Sequence, residues 1–357
     1  MRTLRLYIAR EVVLATVVVF VALLLLFAFF DLVEQMKDLG RGNYQLRHIL
    51  LHVLLSAPNH VYELFPIAAL IGTLFALAQL VASSEYTVMR SSGVSAARMA
   101  GVLASVGLAF GVMTFAVGEF VAPPAEQFAQ RLRSQAISGI VAQEFRSGLW
   151  LKDGTSFVNV LEVTPDASLK GLQIYEFDKD YNLRTLRYAA RGVYQGANRW
   201  LLTDVAQTTF RNLGTSVSRE PQVIWQSVLE PALLNVLLVR PDKMSAWSLY
   251  SYSQHLRENR QKALRSEIAL WAKVFYPLAV VVMMVLALPF AYFQVRQGGV
   301  GAKIFVGIMI GLAFYFLNRL FNHLGLLNDW PPFASAVVPT LIFLFAAVAM
   351  LAWQERR

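Results

Sequence analysis

Long apolar stretches without charged residues dominate this sequence and constrain its fold more than any other feature. A helix needs about 20 consecutive apolar residues to cross the hydrocarbon core of a bilayer. Five stretches reach or approach this length without a charge, at residues 12–30, 64–84, 99–118, 274–295 and 333–353. A sixth covers residues 304–318 and continues past Arg319 to Leu324. The pattern therefore predicts six membrane-spanning helices.

The amino-acid composition points to the same class of protein. Hydrophobic residues make up 56% of the 357 residues and charged residues only 15%. A soluble domain carries about 25% charged residues. The first apolar stretch exceeds the roughly 7–15 residues of a signal-peptide core, and no Ala-x-Ala-like site follows it, so we expect a permanent span. The sequence contains no cysteine, which excludes disulfides and thiolate metal sites.

The distribution of lysine and arginine predicts the orientation of the spans, because short cytoplasmic loops carry an excess of both. With a cytoplasmic amino terminus, the residues on the inside would be Arg2, Arg5, Arg10, Arg90, Arg98, Arg296, Lys303, Arg356 and Arg357. The short outside loops would hold only Lys37, Arg41 and Arg47. We therefore expect both termini in the cytoplasm and residues 123–267 on the outer side.

The long segment between the third and fourth spans is predicted to fold as a separate domain. Strand-forming residues cluster at 148–163, 172–177, 183–195, 200–210 and 223–239. Repeated short strands separated by turns are typical of an antiparallel sandwich or jelly roll. Helical patterns at 125–142 and 245–262 would connect this sheet to the membrane. Residues 1–124 then hold spans one to three, residues 125–262 the inserted domain with its connectors, and residues 263–357 spans four to six.

Motifs for enzymatic chemistry are missing from the sequence. A nucleotide-binding P-loop requires a Gly-Lys pair, which does not occur, and neither H-E-x-x-H nor G-x-S-x-G is present. His48 and His52 lie four residues apart and could bind a metal from one helix face. No carboxylate or cysteine completes that set, so an interfacial helix face is the favoured interpretation. We expect a chain that is not an enzyme and has no cofactor or metal of its own.

A short segment between the second and third spans, residues 83–95, has the pattern of an amphipathic helix. Ser84 is predicted to cap it, Glu85 to begin it and Gly93 to end it. Met89 follows Glu85 by four residues and would share its face. A short helix on the cytoplasmic surface can dock into a groove of a partner protein, although most such helices only connect spans.

Five further segments carry a more specific resemblance. They read VEQMKDLGRGNY at 33–44, FPIAAL at 65–70, GEFVAP at 118–123, GLWLKDG at 148–154 and LWAKVFYPL at 270–278. Together with residues 83–95, they resemble in order and spacing the LptF/LptG family of lipopolysaccharide-export permeases, and its LptG branch in particular. The resemblance runs almost from end to end of the chain.

The resemblance implies a permease subunit of an ABC transporter in the inner membrane of a Gram-negative bacterium. The subunit would extract lipopolysaccharide from that membrane and pass it through a periplasmic β-jellyroll domain toward the outer membrane. Its partners would be the permease LptF, a dimer of the ATPase LptB, which binds ATP and Mg, and the single-span subunit LptC. The alternatives are the sister permease LptF itself, an intramembrane lipid-modifying enzyme and a structural scaffold.

The resemblance also implies roles for individual residues. Glu85 and Met89 would couple the chain to the ATPase. Lys37, Arg41 and Arg133 would contact the phosphorylated headgroup, although such cations can also simply anchor helices among lipid headgroups. Residues that would line a cavity for the acyl chains are Phe65, Phe314, Tyr315, Leu317 and Phe321. Asp31 and Asp38 stand where relatives carry lysines, and Arg319 lies within a span, where a charge is costly.

Overall fold

The computed structural model describes residues 2–137, 148–164, 168–178, 182–211, 214–227, 241–258, 261–293 and 300–355. The helices are α1 (Arg2–Met36), α2 (Leu46–Ala82), α3 (Glu85–Ser91), α4 (Ala96–Ala116), α5 (Ala122–Ala136), α6 (Ala246–Glu258), α7 (Leu264–Phe293), α8 (Val300–Leu327) and α9 (Pro332–Glu355). The strands are β1 (Leu149–Asp153), β2 (Ser156–Val163), β3 (Leu169–Phe177), β4 (Leu183–Gly196), β5 (Arg199–Arg211) and β6 (Gly214–Gln226).

Six helical segments of the described chain are long and apolar enough to cross a membrane, which confirms the predicted number of spans. They are Thr3–Met36, Leu46–Ala82, Ala96–Arg133, Leu264–Phe290, Gly301–Leu327 and Pro332–Trp353. The third combines α4 and α5 through a π-helical turn, Val117–Val121. Pro123 and Pro124 follow this turn, and the first turn of a helix tolerates proline because its N–H groups lack partners within the helix.

The second span is the central helix of the bundle. In its most apolar window 78% of the residues are buried, against 11% for the first span and 17% for the fifth. The first two helices touch at Gly72, where a Cβ atom would overlap the backbone of Thr16. Only a glycine at this position allows the two backbones to touch.

The chain connects the spans so that both termini lie at one end of the bundle, here called the terminal end. Leu4 near the amino terminus and Leu351 near the carboxyl terminus pack against the same apolar cluster as Tyr86 and Met89 of α3. The other end, here called the insert end, carries the loop after α1 and the two connections to the β-sheet. Asn43 of that loop donates a backbone hydrogen bond of 2.8 Å to Ala136 at the end of α5.

The inserted segment forms one antiparallel sheet of six strands within the described residues, which confirms the predicted antiparallel strands, and the predicted run at 148–163 divides into β1 and β2. The strands follow each other in sequential order, β1-β2-β3-β4-β5-β6. Each strand pairs with the next, for example Leu172 with Ala189 and Leu202 with Val223. One face buries an apolar core whose largest member is the fully buried Trp200. The predicted connecting helices are present as α5 and α6, whereas residues 138–142 and 228–239 lie outside the described part.

The sixth strand begins nine residues earlier than the predicted start at residue 223. Its first nine residues, Gly214–Gln222, are all exposed, so they lack the alternation of apolar and polar residues that identifies a strand. Pro221 also argues against a strand, but among the described strands this one pairs with β5 alone, and an edge tolerates proline.

Candidate functional site

An acidic residue joins two of the predicted headgroup-binding arginines at the insert end of the bundle. Asp38 is only 8% exposed and lies in the loop after α1. Its Oδ1 accepts a hydrogen bond of 2.6 Å from Arg41, and its Oδ2 accepts one of 2.7 Å from Arg133 on α5. The two guanidinium groups are therefore held close together by one carboxylate, although they are distant in the sequence.

The loop that carries Asp38 is fixed by its own hydrogen bonds. Gly40 has a positive φ of 84°, and its N–H donates to the carbonyl of Tyr44 at 3.0 Å. The Tyr44 side chain is buried and donates to Gln35 at 3.2 Å. This burial raises the pKa of Tyr44, so its hydroxyl stays protonated as a donor. Lys37, the third predicted headgroup residue, is exposed on the same loop.

A second polar group lies beside this loop, between α2 and α5. Glu126 is fully buried and accepts hydrogen bonds from Lys243 at 2.6 Å, Asn59 at 2.5 Å and Gln130 at 3.0 Å. These contacts satisfy the charge of a carboxylate that could not otherwise remain buried. They also tie the segment just before α6 to the bundle. The sequence does not reveal Lys243 as the partner of Glu126, because 117 residues separate the two.

The π-helical turn adds a third connection at this end. Glu119 accepts hydrogen bonds from the backbone N–H groups of Ala246 at 2.6 Å and Trp247 at 3.1 Å. These are the first residues of α6, whose N–H groups have no partners within the helix, so a carboxylate there is favourable. Asp31, which lies at the same end of α1, pairs with His60 of α2 at 2.6 Å.

The short helix α3 is present at the terminal end, but two details differ from the sequence prediction. Ser84 has a left-handed backbone, with φ of 61°, and its side chain does not cap the helix. Instead, Glu85 accepts hydrogen bonds from Ser83 at 3.1 Å and from Tyr7 of α1 at 2.9 Å. Met89 points into the bundle core, at 7% exposure, so any part it has in coupling is to hold the helix in place.

The outer surface of α3 is formed by other residues. Val88 is 62% exposed, and Thr87 and Arg90 are exposed beside it. Tyr86 is buried next to Met89, and this burial raises the pKa of Tyr86 to about 12. Gly93, with φ of 85°, ends the segment as predicted. The helix thus has an apolar inner face and an outer face that is available to a partner.

Within the described residues, the predicted acyl-chain residues lie in different parts of the bundle. Phe65 is buried against Phe20 and Phe110, whereas Phe314 is buried in a different cluster against Phe343. Both side chains are buried within the bundle. The others lie on less buried parts of α8, where Tyr315 is 40% exposed and Leu317 and Phe321 are half-buried. Arg319 is exposed and donates to the Tyr315 hydroxyl at 3.2 Å.

The first and fifth spans instead carry long exposed apolar stripes. The stripe on α1 includes Leu14, Val17, Val18, Val21, Leu25, Leu26, Phe29 and Phe30. The stripe on α8 includes Phe305, Ile308, Met309, Leu312, Tyr315, Phe316 and Leu320. The helical period does not reveal these stripes in the sequence, because buried and lipid-facing sides of a span are both apolar.

The two histidines considered as metal ligands make other contacts. His48 accepts a hydrogen bond from the backbone of Gln45 at 3.1 Å, and His52 lies 3.2 Å from the carbonyl of Ala129. In the part of the chain that the structure describes, no group of three or more histidine, cysteine, aspartate or glutamate side chains is arranged to hold a metal ion.

Comparison with known proteins covers nearly the whole chain. The family described as "Lipopolysaccharide export system permease LptF/LptG" matches residues 6–353. The chain is 33% identical over 352 residues to the "Lipopolysaccharide export system permease protein LptG" of Haemophilus influenzae, covering 98% of this chain and 97% of that relative. It is 33% identical over 347 residues to the protein of the same name from Escherichia coli K12, covering 97% and 96%.

Proposed function

Because the chain belongs to the LptF/LptG family of lipopolysaccharide-export permeases, we propose that its insert-end cations hold the headgroup of lipopolysaccharide during extraction from the inner membrane. The chain is a multi-pass inner-membrane component of this export system, and its similarity to LptG relatives assigns it to that branch rather than to the sister permease. The details below extend this assignment to orientation, partners and individual residues.

The terminal end faces the cytoplasm in this proposal, and the insert end faces the periplasm. The excess of lysine and arginine in the loops at the terminal end supports this orientation. The membrane part then comprises residues 1–124 and 263–357, and residues 125–262 form the periplasmic domain. The sheet has an apolar inner face around Trp200, and acyl chains that leave the membrane would contact this face once the sheet opens.

The exposed stripes of α1 and α8 form the sides of the lipid path. A second permease, LptF, would cover them incompletely and enclose an apolar space between the two subunits, and the single span of LptC would pack at its edge. Tyr315, Leu317 and Phe321 are the predicted cavity residues that remain on this surface. Phe65 and Phe314 are buried within the bundle, so they would hold the helices that line the path in place.

The headgroup contacts come from the loop after α1 and from α5. Guanidinium groups bind phosphate through two parallel hydrogen bonds, and such contacts strengthen in partly desolvated sites. Arg133 has a side chain that is 35% exposed, which leaves it accessible yet partly shielded from water. Its proximity to Arg41 through Asp38 is the observation that carries this part of the proposal. Lys37 adds a third cation, which is exposed.

Energy would come from a separate LptB dimer that binds ATP and Mg and docks against α3. Val88 and Arg90 form the outer surface of this helix, whereas Tyr86 and Met89 anchor it in the bundle. Glu85 links α3 to α1, because its carboxylate accepts a hydrogen bond from the Tyr7 hydroxyl. A push on α3 would therefore reach the first span directly.

Two arginines of α5 provide the test. Residues two apart on a helix differ by about 200°, so Arg131 and Arg133 point to nearly opposite sides. Arg133→Ala should weaken lipopolysaccharide binding by about 1–3 kcal/mol, whereas the loss in Arg131→Ala should be much smaller. The measurement is lipopolysaccharide crosslinking to purified export complexes at matched expression and ionic strength. An equal loss in both variants would indicate that lipopolysaccharide is attracted by the general positive charge of the surface and not by one site. A larger loss in Arg131→Ala would place the binding site on the opposite face of α5.

A further inference from the structure

A groove at the terminal end of the bundle has no part in the lipid path described above. It lies between the first turns of α1 and α4 and has a volume of about 530 Å³. Arg5 and Arg98 lie at its mouth, and Leu6, Ala9 and Val102 give it an apolar wall. Both helices run away from the terminal end, so the two arginines lie nearest that end, and Ala9, Val102 and Ser105 lie farther along the spans.

The two arginines at the mouth are available to an external anion. Both side chains are exposed, and within the described residues neither forms an ion pair with a carboxylate. The Arg98 side chain donates a long hydrogen bond of 3.4 Å to the carbonyl of Gly93. Two unneutralised guanidinium groups above an apolar channel match a ligand with an anionic head and a hydrocarbon tail.

The floor of the groove is open because it contains a glycine. A Cβ atom at Gly101 would meet nothing within 4 Å, so this position faces empty space and not a neighbouring helix. From Arg98 to Ser105 the groove extends about 10 Å along α4, at about 1.5 Å per residue. It can therefore hold the upper part of one acyl chain, and the remainder would continue into the surrounding bilayer.

We propose that this groove binds an anionic phospholipid of the cytoplasmic leaflet, with its phosphate between Arg5 and Arg98 and one acyl chain over Gly101. The proposal rests on the orientation given under the proposed function, which puts the terminal end at that leaflet. Basic pockets between spans on the cytoplasmic side are typical binding sites for anionic lipid headgroups. The site is separate from the headgroup cluster at Arg133, which lies at the opposite end of the bundle.

A second kind of occupant would be a membrane-spanning helix of a partner subunit. Gly101 and Ser105 are small residues four apart, a spacing that permits close helix packing. Such a helix would use the small residues but would leave both arginines without an anion. The phospholipid satisfies the cations and the apolar wall together, so the charges favour it.

The phosphate of the bound phospholipid would also stabilise the loop between α3 and α4. Arg98 already contacts Gly93, the residue at which the α3 segment ends. A lipid held by this arginine would restrict the movement of that connection. The groove would thereby make the position of α3 depend on the lipid composition of the cytoplasmic leaflet.

The experiment measures phospholipid retained by the purified export complex. Complexes are reconstituted in nanodiscs that contain phosphatidylglycerol or phosphatidylcholine and are then extracted in detergent. Native mass spectrometry measures the number of phospholipid molecules that each complex retains. Two variants change the site. The double variant Arg5→Gln/Arg98→Gln removes its positive charge, and Gly101→Leu fills the space over Gly101. Their matched controls are Arg10→Gln, an exposed arginine of α1 outside the groove lining, and Gly301→Leu, at a glycine that also faces open space.

We expect bound phosphatidylglycerol to fall at least fivefold in both groove variants and to stay at the wild-type level in both controls. Phosphatidylcholine should be retained poorly by every complex. Equal phosphatidylglycerol in all variants, or equal retention of the two lipids, would overturn the proposal. A cysteine at Gly101 that crosslinks to a partner's span at high yield, without retained lipid, would assign the groove to a helix.

The outcome is separable from that of the headgroup test. Arg133→Ala should lower lipopolysaccharide crosslinking without changing phosphatidylglycerol retention, and the groove variants should do the reverse. If Arg133→Ala leaves crosslinking intact while the groove variants lose phosphatidylglycerol, the headgroup assignment is wrong and the groove stands.

Discussion

Asp38 should weaken substrate binding in the wild-type chain, and replacing it by asparagine should strengthen that binding. Its carboxylate holds Arg41 at 2.6 Å and Arg133 at 2.7 Å. A headgroup phosphate that takes Arg133 must compete with this internal anion. Asp38→Asn keeps the size of the side chain and one acceptor oxygen but removes the negative charge.

The magnitude follows from the exposure of the three groups. Exposed ion pairs contribute about 0.2–1 kcal/mol, and hydrogen bonds to charged groups in shielded sites about 1.5–3 kcal/mol. The Asp38 side chain is 11% exposed and that of Arg133 35%, which puts this pair between the two limits. Relief of about 1 kcal/mol corresponds to roughly fivefold tighter binding, since about 1.4 kcal/mol is tenfold.

The assay is a titration of the purified export complex with a fluorescent or photocrosslinkable lipopolysaccharide at fixed ionic strength. Asp31→Asn is the matched control, because Asp31 pairs with His60 and contacts neither arginine by a hydrogen bond in the described structure. The gain in Asp38→Asn should disappear when Arg133→Ala is added, since the two effects act through one group. Unchanged or weaker binding in Asp38→Asn would refute the reasoning, because Asp38 would then position the arginines and not compete for them.

Three further predictions concern other parts of the chain. Glu85→Ala should lower export and the yield of co-purified ATPase, because it removes the link between α3 and α1; normal export and yield would exclude Glu85 from coupling. Cysteines at Asn182 and Asn198 should react with membrane-impermeant reagents from the periplasmic side, and reaction only after the membrane is opened would reverse the topology. Glu126→Ala should destabilise the complex by about 2–4 kcal/mol in thermal unfolding, because it leaves Lys243 without its partner; Glu126→Gln should cost less, and equal melting temperatures for all three proteins would contradict this account.

Most helices and strands of this fold could be predicted, because each is determined by the pattern of its own residues. A span is identified by its own apolar length, and β3, β4 and β5 by their own strand formers and turns. The sixth strand was predicted only in its last part, because Pro221 and a fully exposed first half obscure it. Its structure depends on pairing with β5, which no local pattern encodes.

The candidate site depends on contacts between distant residues, and these could not be predicted. Arg133 and Asp38 are each visible in the sequence, but 95 residues separate them, and only the fold brings them together. Glu126 and Lys243 are 117 residues apart. Met89 shows what helical periodicity does not identify. Its spacing from Glu85 predicts a place on the helix face that contacts a partner protein, but its side chain lies in the core. Both faces of a helix at a membrane surface can be apolar, so the period alone does not identify the inner one.

The close approach of Gly72 to Thr16 fixes the position of α1 along α2. A helix whose backbone touches its neighbour cannot slide along it without a clash. The two helices are also joined nearer the insert end, where Phe20 packs on Phe65 and Asp31 pairs with His60. A displacement of α1 by α3 at Tyr7 would therefore move α2 with it. It would reach Asp31, twenty-four residues and about 36 Å along the helix.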